Sequence, residues 1–172
     1  MWLGIVVLAI LVAGVLSWLQ NREPAVPEGL SAEAQAASMV RVVDGDTIVV
    51  YLAGVEERVR LLNIDTPETV HPHEDVECGG PEASDRLSEL LEPGDDVFLE
   101  FDLERRDRYD RLLAGVFTDE MFINEELARE GWGEPVIFEP NDRFMAQVES
   151  AWSEAEADQA GLFSPQLGCA PD

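Results

Sequence analysis

The chain's 172 residues suit one domain of ordinary size plus an appendage and are enough to bury a core. Its 36 acidic residues against 11 basic ones, for a net charge of −25, argue against polyanionic partners in dilute buffer. Every basic residue is arginine, and abundant carboxylates without lysine resemble the proteome bias of extreme halophiles, halophilic archaea above all. In concentrated salt self-repulsion is screened and the electrostatic attraction to nucleic acid is weak for any protein, so acidity alone does not exclude such a partner.

Residues 1–20, MWLGIVVLAILVAGVLSWLQ, carry no charge and are about the length that spans a bilayer. They read as a hydrophobic helix that is a signal anchor, attaching the chain to a membrane, or a cleaved signal peptide, the alternative being a buried N-terminal helix. The expected location is outside the cell or on its surface. Residues 21–38 are polar, small and proline-containing, the composition of a linker. The domain proper is expected over 39–168, with 169–172 as a tail carrying Cys169.

Within the domain, MVRVV, TIVVYL and RVRLLNI are β-branched runs broken by Asp44-Gly45 and Ala53-Gly54, both turn signals. A polar loop, TVHPHEDVECGG, follows. Pro81-Glu82 opens a helix with Ala83, Leu87, Leu90 and Leu91 among its apolar residues, and Pro93-Gly94 ends it. DVFLEFD alternates as a strand, LERRDRYD reads as a charged turn, and RLLAGVFT as the next strand. Asn124 is expected to cap a short helix stopped by Gly131, and a longer helix runs from Asp142 to about Gln159. The class is α+β with a mainly β core. The strand order matches a five-stranded OB-type Greek-key barrel with about three α-helices, preceded by the hydrophobic helix. Cys78 and Cys169 are the only cysteines. An even count in an exported chain suggests a disulfide, the alternative being two free thiols.

Three segments concentrate chemistry. Asp44-Gly45-Asp46-Thr47 is a hairpin turn, but a turn does not need Asp46. RLLNIDTPE, residues 60–68, taken singly reads as a strand ended by an Asp-Thr-Pro turn with Arg60 on the surface. DRYDR, residues 107–111, is plainly a solvated turn. Together they supply more. Asp46, Asp65 and the Thr66 carbonyl are oxygen donors of the kind hard cations such as Ca²⁺ take. Glu68, beyond a proline that fixes the turn, is placed to orient or deprotonate water. Arg60 and Arg111 are planar forks suited to phosphate oxygens. The combination is that of a phosphodiesterase.

The stretches VVDGDTIVV, RVRLLNIDTPET, GPEAS, FDLERRDRYDRLLAGVF and INEELAREGWG carry a resemblance to the staphylococcal-nuclease-like (thermonuclease) family, running from about Val40 to about Phe163. That resemblance implies a five-stranded OB barrel with three helices, Ca²⁺ as cofactor, and endonucleolytic hydrolysis of DNA and RNA at the 5′ P–O bond, leaving 3′-phosphates, by a monomer. It implies Asp46, Asp65 and Thr66 as metal ligands. It implies Glu68 as the water-activating group and Arg60 and Arg111 as the phosphate clamp. Arg108 and Tyr109 fall at nucleotide-pocket positions, and Val136 and Phe138 stand where better-studied members have tyrosines. The loop after Glu68, basic in well-known members, carries Glu74, Asp75 and Glu77 here. His71 and His73 with Cys78 offer a zinc site as an alternative to a mobile loop, and Trp132 and Trp152 read as packing residues. The other function is a non-catalytic OB module binding nucleic acid or protein at the cell surface. All six site positions being filled favours the enzyme. A calcium-sequestering acidic protein accounts for the charge but not for Arg60 and Arg111.

Overall fold

The computed structural model describes residues 26–27, 29–69 and 76–169. The hydrophobic leader at 1–20 and the His71–His73 pair lie outside the described residues. Among those that are described, no helix is long and apolar enough to cross a membrane.

β1 (Gln35–Asp44) and β2 (Thr47–Leu52) form a hairpin across Gly45-Asp46, with Asp44 opposite Thr47. β3 (Val55–Leu61) follows through Ala53-Gly54, both at positive φ (49° and 89°), as the tight turn that matches strand twist requires. After a short β4 (Ile64–Asp65) and helix α1 (Gly80–Leu90) come β5 (Asp96–Arg106) and β6 (Leu112–Phe117). The strands close into a barrel in the order β1-β2-β3-β6-β5, all neighbours antiparallel except β3 and β6. α2 (Ile123–Arg129), β7 (Glu134–Pro135) and α3 (Met145–Asp158) complete the unit. β7 pairs with β4, with Asp65 opposite Glu134, a two-strand ribbon too short to show as a sequence pattern.

Ile48, Val50, Val59, Leu61 and Leu99 are fully buried, and α2 and α3 add Ile123, Leu127 and Val148 to the same core. Burial of each such side chain contributes about 1.5–3 kcal/mol. Phe144 meets Phe122 and Phe117 at ring-centroid distances of 5.1 and 6.0 Å. Gly115 permits this packing, since a Cβ there would lie 2.7 Å from the Phe144 ring. Trp132 and Trp152 are partly buried against the core, as expected of packing residues.

Four expectations need correction or extension. Asn124 does not cap α2; Phe122 holds that position, with no side-chain cap. Asn124 is instead fully buried, its Nδ2 donating to the Leu62 carbonyl at 2.8 Å and its Oδ1 accepting from the Val116 N–H at 3.0 Å. It joins α2 to two barrel strand ends, and pairing buried backbone groups outweighs an exposed cap. The charged turn is shorter than read, because β5 continues through LERR to Arg106 and only 107–111 turn. α3 begins at Met145, three residues after Asp142. β1 begins at Gln35, inside the stretch read as linker, because Gln35 to Ser38 pair with Leu99 to Asp96 of β5.

The chain just before β1 is also docked. The Ser31 N–H donates to Glu100 Oε1 at 2.9 Å, and Arg143 Nη2 reaches the same oxygen at 2.6 Å. Glu100 is 5% exposed, so these partners compensate a carboxylate taken out of water. Cys78 and Cys169 form a disulfide, with Cα atoms 5.7 Å apart across 91 residues of sequence. In the chain-entropy account a loop of that size stabilises by on the order of 4 kcal/mol.

Candidate active site

The β1–β2 turn sets the first wall. Gly45 lies so close to Thr66 that a Cβ would sit 2.6 Å from its hydroxyl. That approach brings the Asp46 and Thr66 turns together. Asp46 is 6% exposed, and its Oδ2 accepts from the Thr66 N–H at 3.1 Å and the Thr66 hydroxyl at 3.2 Å. Its Oδ1 accepts from the Thr47 hydroxyl at 3.0 Å.

Thr47 pairs with Arg60 across β2 and β3, which delivers the guanidinium to the same place. Arg60 is not on the surface; it is 5% exposed. Nη1 donates to the carbonyls of Leu61 (3.0 Å) and Ile64 (2.8 Å). Nη2 lies 2.9 Å from Asp46 Oδ2 and 2.5 Å from Asp65 Oδ1. The Phe138 ring stacks against it, with the guanidinium carbon 5.0 Å from the ring centroid. Arg60 therefore sits between the two carboxylates read as metal ligands.

A pocket of about 190 Å³ opens here, lined by Asp44, Asp46, Arg60, Asp65, Thr66, Pro67, Glu68 and Arg111. All six residues read from the sequence as metal ligands, water-activating group and phosphate clamp line it. Arg111 also borders a second cavity of about 460 Å³, shared with Glu104, Asp107, Arg108, Tyr109, Leu113, Phe138 and Glu139. Arg108, Tyr109 and Phe138 thus gather as expected, whereas Val136 lines neither cavity and makes backbone hydrogen bonds with Asn63. Arg108 folds onto its neighbour, donating to the Tyr109 hydroxyl at 2.6 Å.

Arg111 is aimed by Asp107. Its Nε donates to Asp107 Oδ2 at 2.7 Å and its backbone N–H to Asp107 Oδ1 at 2.9 Å, which leaves the two terminal nitrogens for another acceptor. Burial pushes the Asp107 carboxyl up, but the hydrogen bonds from Arg111 and the Tyr109 N–H outweigh it and hold the group below the usual range. The opposite holds in the small pocket. Burial raises the Asp46 carboxyl, Arg60 opposes this, and neighbouring Asp65 adds to it, for a net rise. Asp65 is raised by the protein packed behind it, against the pull of Arg60, although 60% of its side chain is open. Asp44 is pushed up to about 6 by burial and by Asp46.

The pocket gathers four carboxyl side chains, Asp44, Asp46, Asp65 and Glu68, against the two guanidiniums of Arg60 and Arg111. The carboxyl donors are oxygen, the set a hard cation takes. Among the described residues no three His, Cys, Asp or Glu side chains form a ready cage, although Asp46, Asp65 and Thr66 line the same pocket.

Sequence reasoning missed several contributors. Asp44 was assigned to the turn alone. Asn63 is buried, with Nδ2 bonded to the carbonyls of Val136 (3.2 Å) and Asn141 (3.0 Å). Asn141 in turn brackets Glu104 through both backbone groups. These two asparagines hold the segment that presents Phe138.

The chain is similar in sequence to known proteins. Residues 58–165 match the family described as staphylococcal nuclease homologue. The chain is 35% identical over 161 residues to the thermonuclease of Staphylococcus hyicus, covering 93% of this chain and 95% of that one. It is 34% identical, over the same shares, to the thermonuclease of Staphylococcus intermedius. Against endonuclease YncB of Bacillus subtilis (strain 168) it is 40% identical over 126 residues, 72% of this chain and 59% of that one. The chain belongs to the staphylococcal nuclease homologue family.

Proposed function

We propose that the chain is a Ca²⁺-dependent endonuclease that hydrolyses phosphodiester bonds of DNA and RNA at the 5′ P–O bond, leaving 3′-phosphates. Its relatives are named as thermonucleases and endonucleases, and nuclease action on nucleic acid is the coarse part of this reading. Ca²⁺, action on both DNA and RNA and the choice of the 5′ P–O bond are what the family resemblance implies; the observation that supports a phosphodiester substrate is Arg111, shared between a polar pocket holding carboxylates and Arg60 and a wider cavity lined by Tyr109 and Phe138. A phosphate in the first and its nucleoside in the second is the occupancy these linings favour.

In this reading Asp46, Asp65 and the Thr66 carbonyl hold Ca²⁺. Bound there, the ion would polarise a phosphoryl oxygen and offset charge in the transition state. Glu68 orients water and accepts its proton as the water attacks phosphorus. Arg111, its Nε fixed by Asp107, donates its remaining N–H groups to the phosphate oxygens, and Arg60 acts from the other wall. Tyr109 and Phe138 take the base or sugar by stacking, a contact tolerant of sequence.

The disulfide suits an oxidising location, and with the hydrophobic leader it supports an extracellular or cell-surface enzyme, anchored or released. The acidic, lysine-free composition supports activity in concentrated salt. The full chain is expected to degrade single-stranded DNA in molar salt with Ca²⁺ and to stop when chelator is added. Folded protein that is inert there with Ca²⁺ and with other divalent metals would overturn the enzyme reading.

A further inference from the structure

Glu68 stands on a turn that the rest of the chain holds from behind. Its N–H donates to Glu77 Oε2 at 2.8 Å, and the Glu77 N–H donates back to the Glu68 carbonyl at 2.9 Å. Position 68 is thereby tied to position 77 through both of its backbone polar groups. Its carboxylate is oriented as well, accepting from the Thr69 N–H at 3.0 Å.

The residues after Glu77 are wedged between this turn and the C-terminal segment. Gly80 faces the turn: a Cβ there would lie 2.9 Å from the Glu68 carbonyl oxygen and 3.0 Å from that of Pro67. Gly79 faces the other way, at φ 86°, where a Cβ would lie 2.3 Å from Leu162. Cys78 is bonded to Cys169. Residues 77–80 thus pack between the Glu68 turn and the C-terminal segment.

The arrangement works against electrostatics. Glu77 is an exposed carboxylate bonded to the Glu68 backbone, so it adds a negative charge next to the acids Glu68 and Asp65 of the same turn. Repulsion among them favours moving Glu77 away. One hydrogen bond to an exposed carboxylate is a weak restraint against that; the covalent link one residue on is a strong one.

We propose that Glu77 is a positioning residue for Glu68, and that the Cys78–Cys169 disulfide makes this positioning, and with it turnover, dependent on redox state. The proposal rests on Glu68 acting on water, as above. Reduction by a dithiol is the switching step. The dithiol's two S–H bonds become one S–S bond, and the Cys78–Cys169 bond takes up two electrons and two protons to become two thiols. Cys78 is exposed, so the exchange has access.

The test compares the full chain with Glu77→Gln, Glu77→Ala, Glu68→Gln and the Cys78→Ser/Cys169→Ser double variant on single-stranded DNA at saturating Ca²⁺. Glu77→Gln keeps a side-chain carbonyl for the Glu68 N–H and is expected within about twofold of the parent kcat. Glu77→Ala is expected to lower kcat about tenfold to a hundredfold with KM little changed, the scale of an ångström's misplacement of a reacting group. A dithiol should lower the parent's kcat toward that of the double variant and leave the double variant unaffected. Without metal, amide exchange at Glu68 should accelerate in Glu77→Ala and in reduced protein while that of Val50, in the barrel core, holds. An unchanged kcat in Glu77→Ala or under dithiol, with Glu68→Gln inactive, overturns the proposal alone. Equal acceleration at Glu68 and Val50 also overturns it, by showing general loosening. A fully active Glu68→Gln overturns the functional reading beneath it.

Discussion

The two cavities that share Arg111 are built differently. In the smaller one Asp46 and Arg60 are almost wholly buried, and each is fixed by several partners at the ends of β2, β3 and β4. In the larger one Tyr109 is 63% exposed and Arg108, among the described residues, bonds that neighbour alone, both on the turn between β5 and β6. Asp46, Arg60 and Asp65 stand at strand ends, where position is held tightly, whereas Arg111 shares the 107–111 turn with Arg108 and Tyr109 and so belongs to both cavities. The nucleoside side, built from that turn and the segment of Phe138, is the more open of the two and can accept different bases. The difference predicts that variants in the small pocket change kcat and those in the large one change KM.

The largest effect should come from Glu68→Gln and Arg111→Ala. Each is expected to lower kcat by about a hundredfold or more, the range for a lost acid–base group or transition-state donor, with the thermal midpoint near that of the parent. An equal fall in both kinetic constants with a lower midpoint would blur the division. Next, Asp65→Asn should weaken Ca²⁺ binding roughly tenfold or more by calorimetry, since it removes one charged ligand from a small set. On the other side, Tyr109→Ala and Phe138→Ala should raise KM for single-stranded DNA by an amount matching about 1–3 kcal/mol each, leaving kcat within a few-fold. A kcat loss in Phe138→Ala larger than its KM change would show that its stacking on Arg60 matters more than its contact with the base.

The smallest effect concerns the hinge between the cavities. The Asp107 carboxyl is held below the usual range, so its contribution to stability is present above the ordinary carboxylate pKa of about 4 and is lost as pH falls through the lower folded value. Asp107→Asn should therefore flatten the acid limb of the stability curve and cost about 1 kcal/mol or less near neutrality, read by denaturant unfolding at several pH values. An unchanged acid limb would show that Arg111 gains its orientation elsewhere.

The small pocket was legible in the sequence because its parts come in short runs, DGDT and RLLNIDTPE, whose odd charges a turn or strand does not require. The barrel was legible from β-branched runs and turn dipeptides. What escaped depends on distant partners. Asn63 finds its acceptors 73 and 78 residues away, and Asn124 finds Leu62 at 62. A buried asparagine of this kind looks like a turn or cap residue until the fold supplies its partners. The burial of Arg60 was hidden for the same reason, since an arginine reads as surface until a ring and two carboxylates close over it. Glu77 looked like one more acid in an acidic loop.

The docking of Ser31 on Glu100 also gathers distant parts of the chain. Glu100 belongs to β5, the strand that β1 pairs with, and Arg143, which shares its oxygen, stands just ahead of α3. The segment ahead of β1, a barrel strand and the approach to α3 thus meet at one buried carboxylate. Glu100 and Arg143 line neither cavity, so this junction lies apart from the pocket around Asp46.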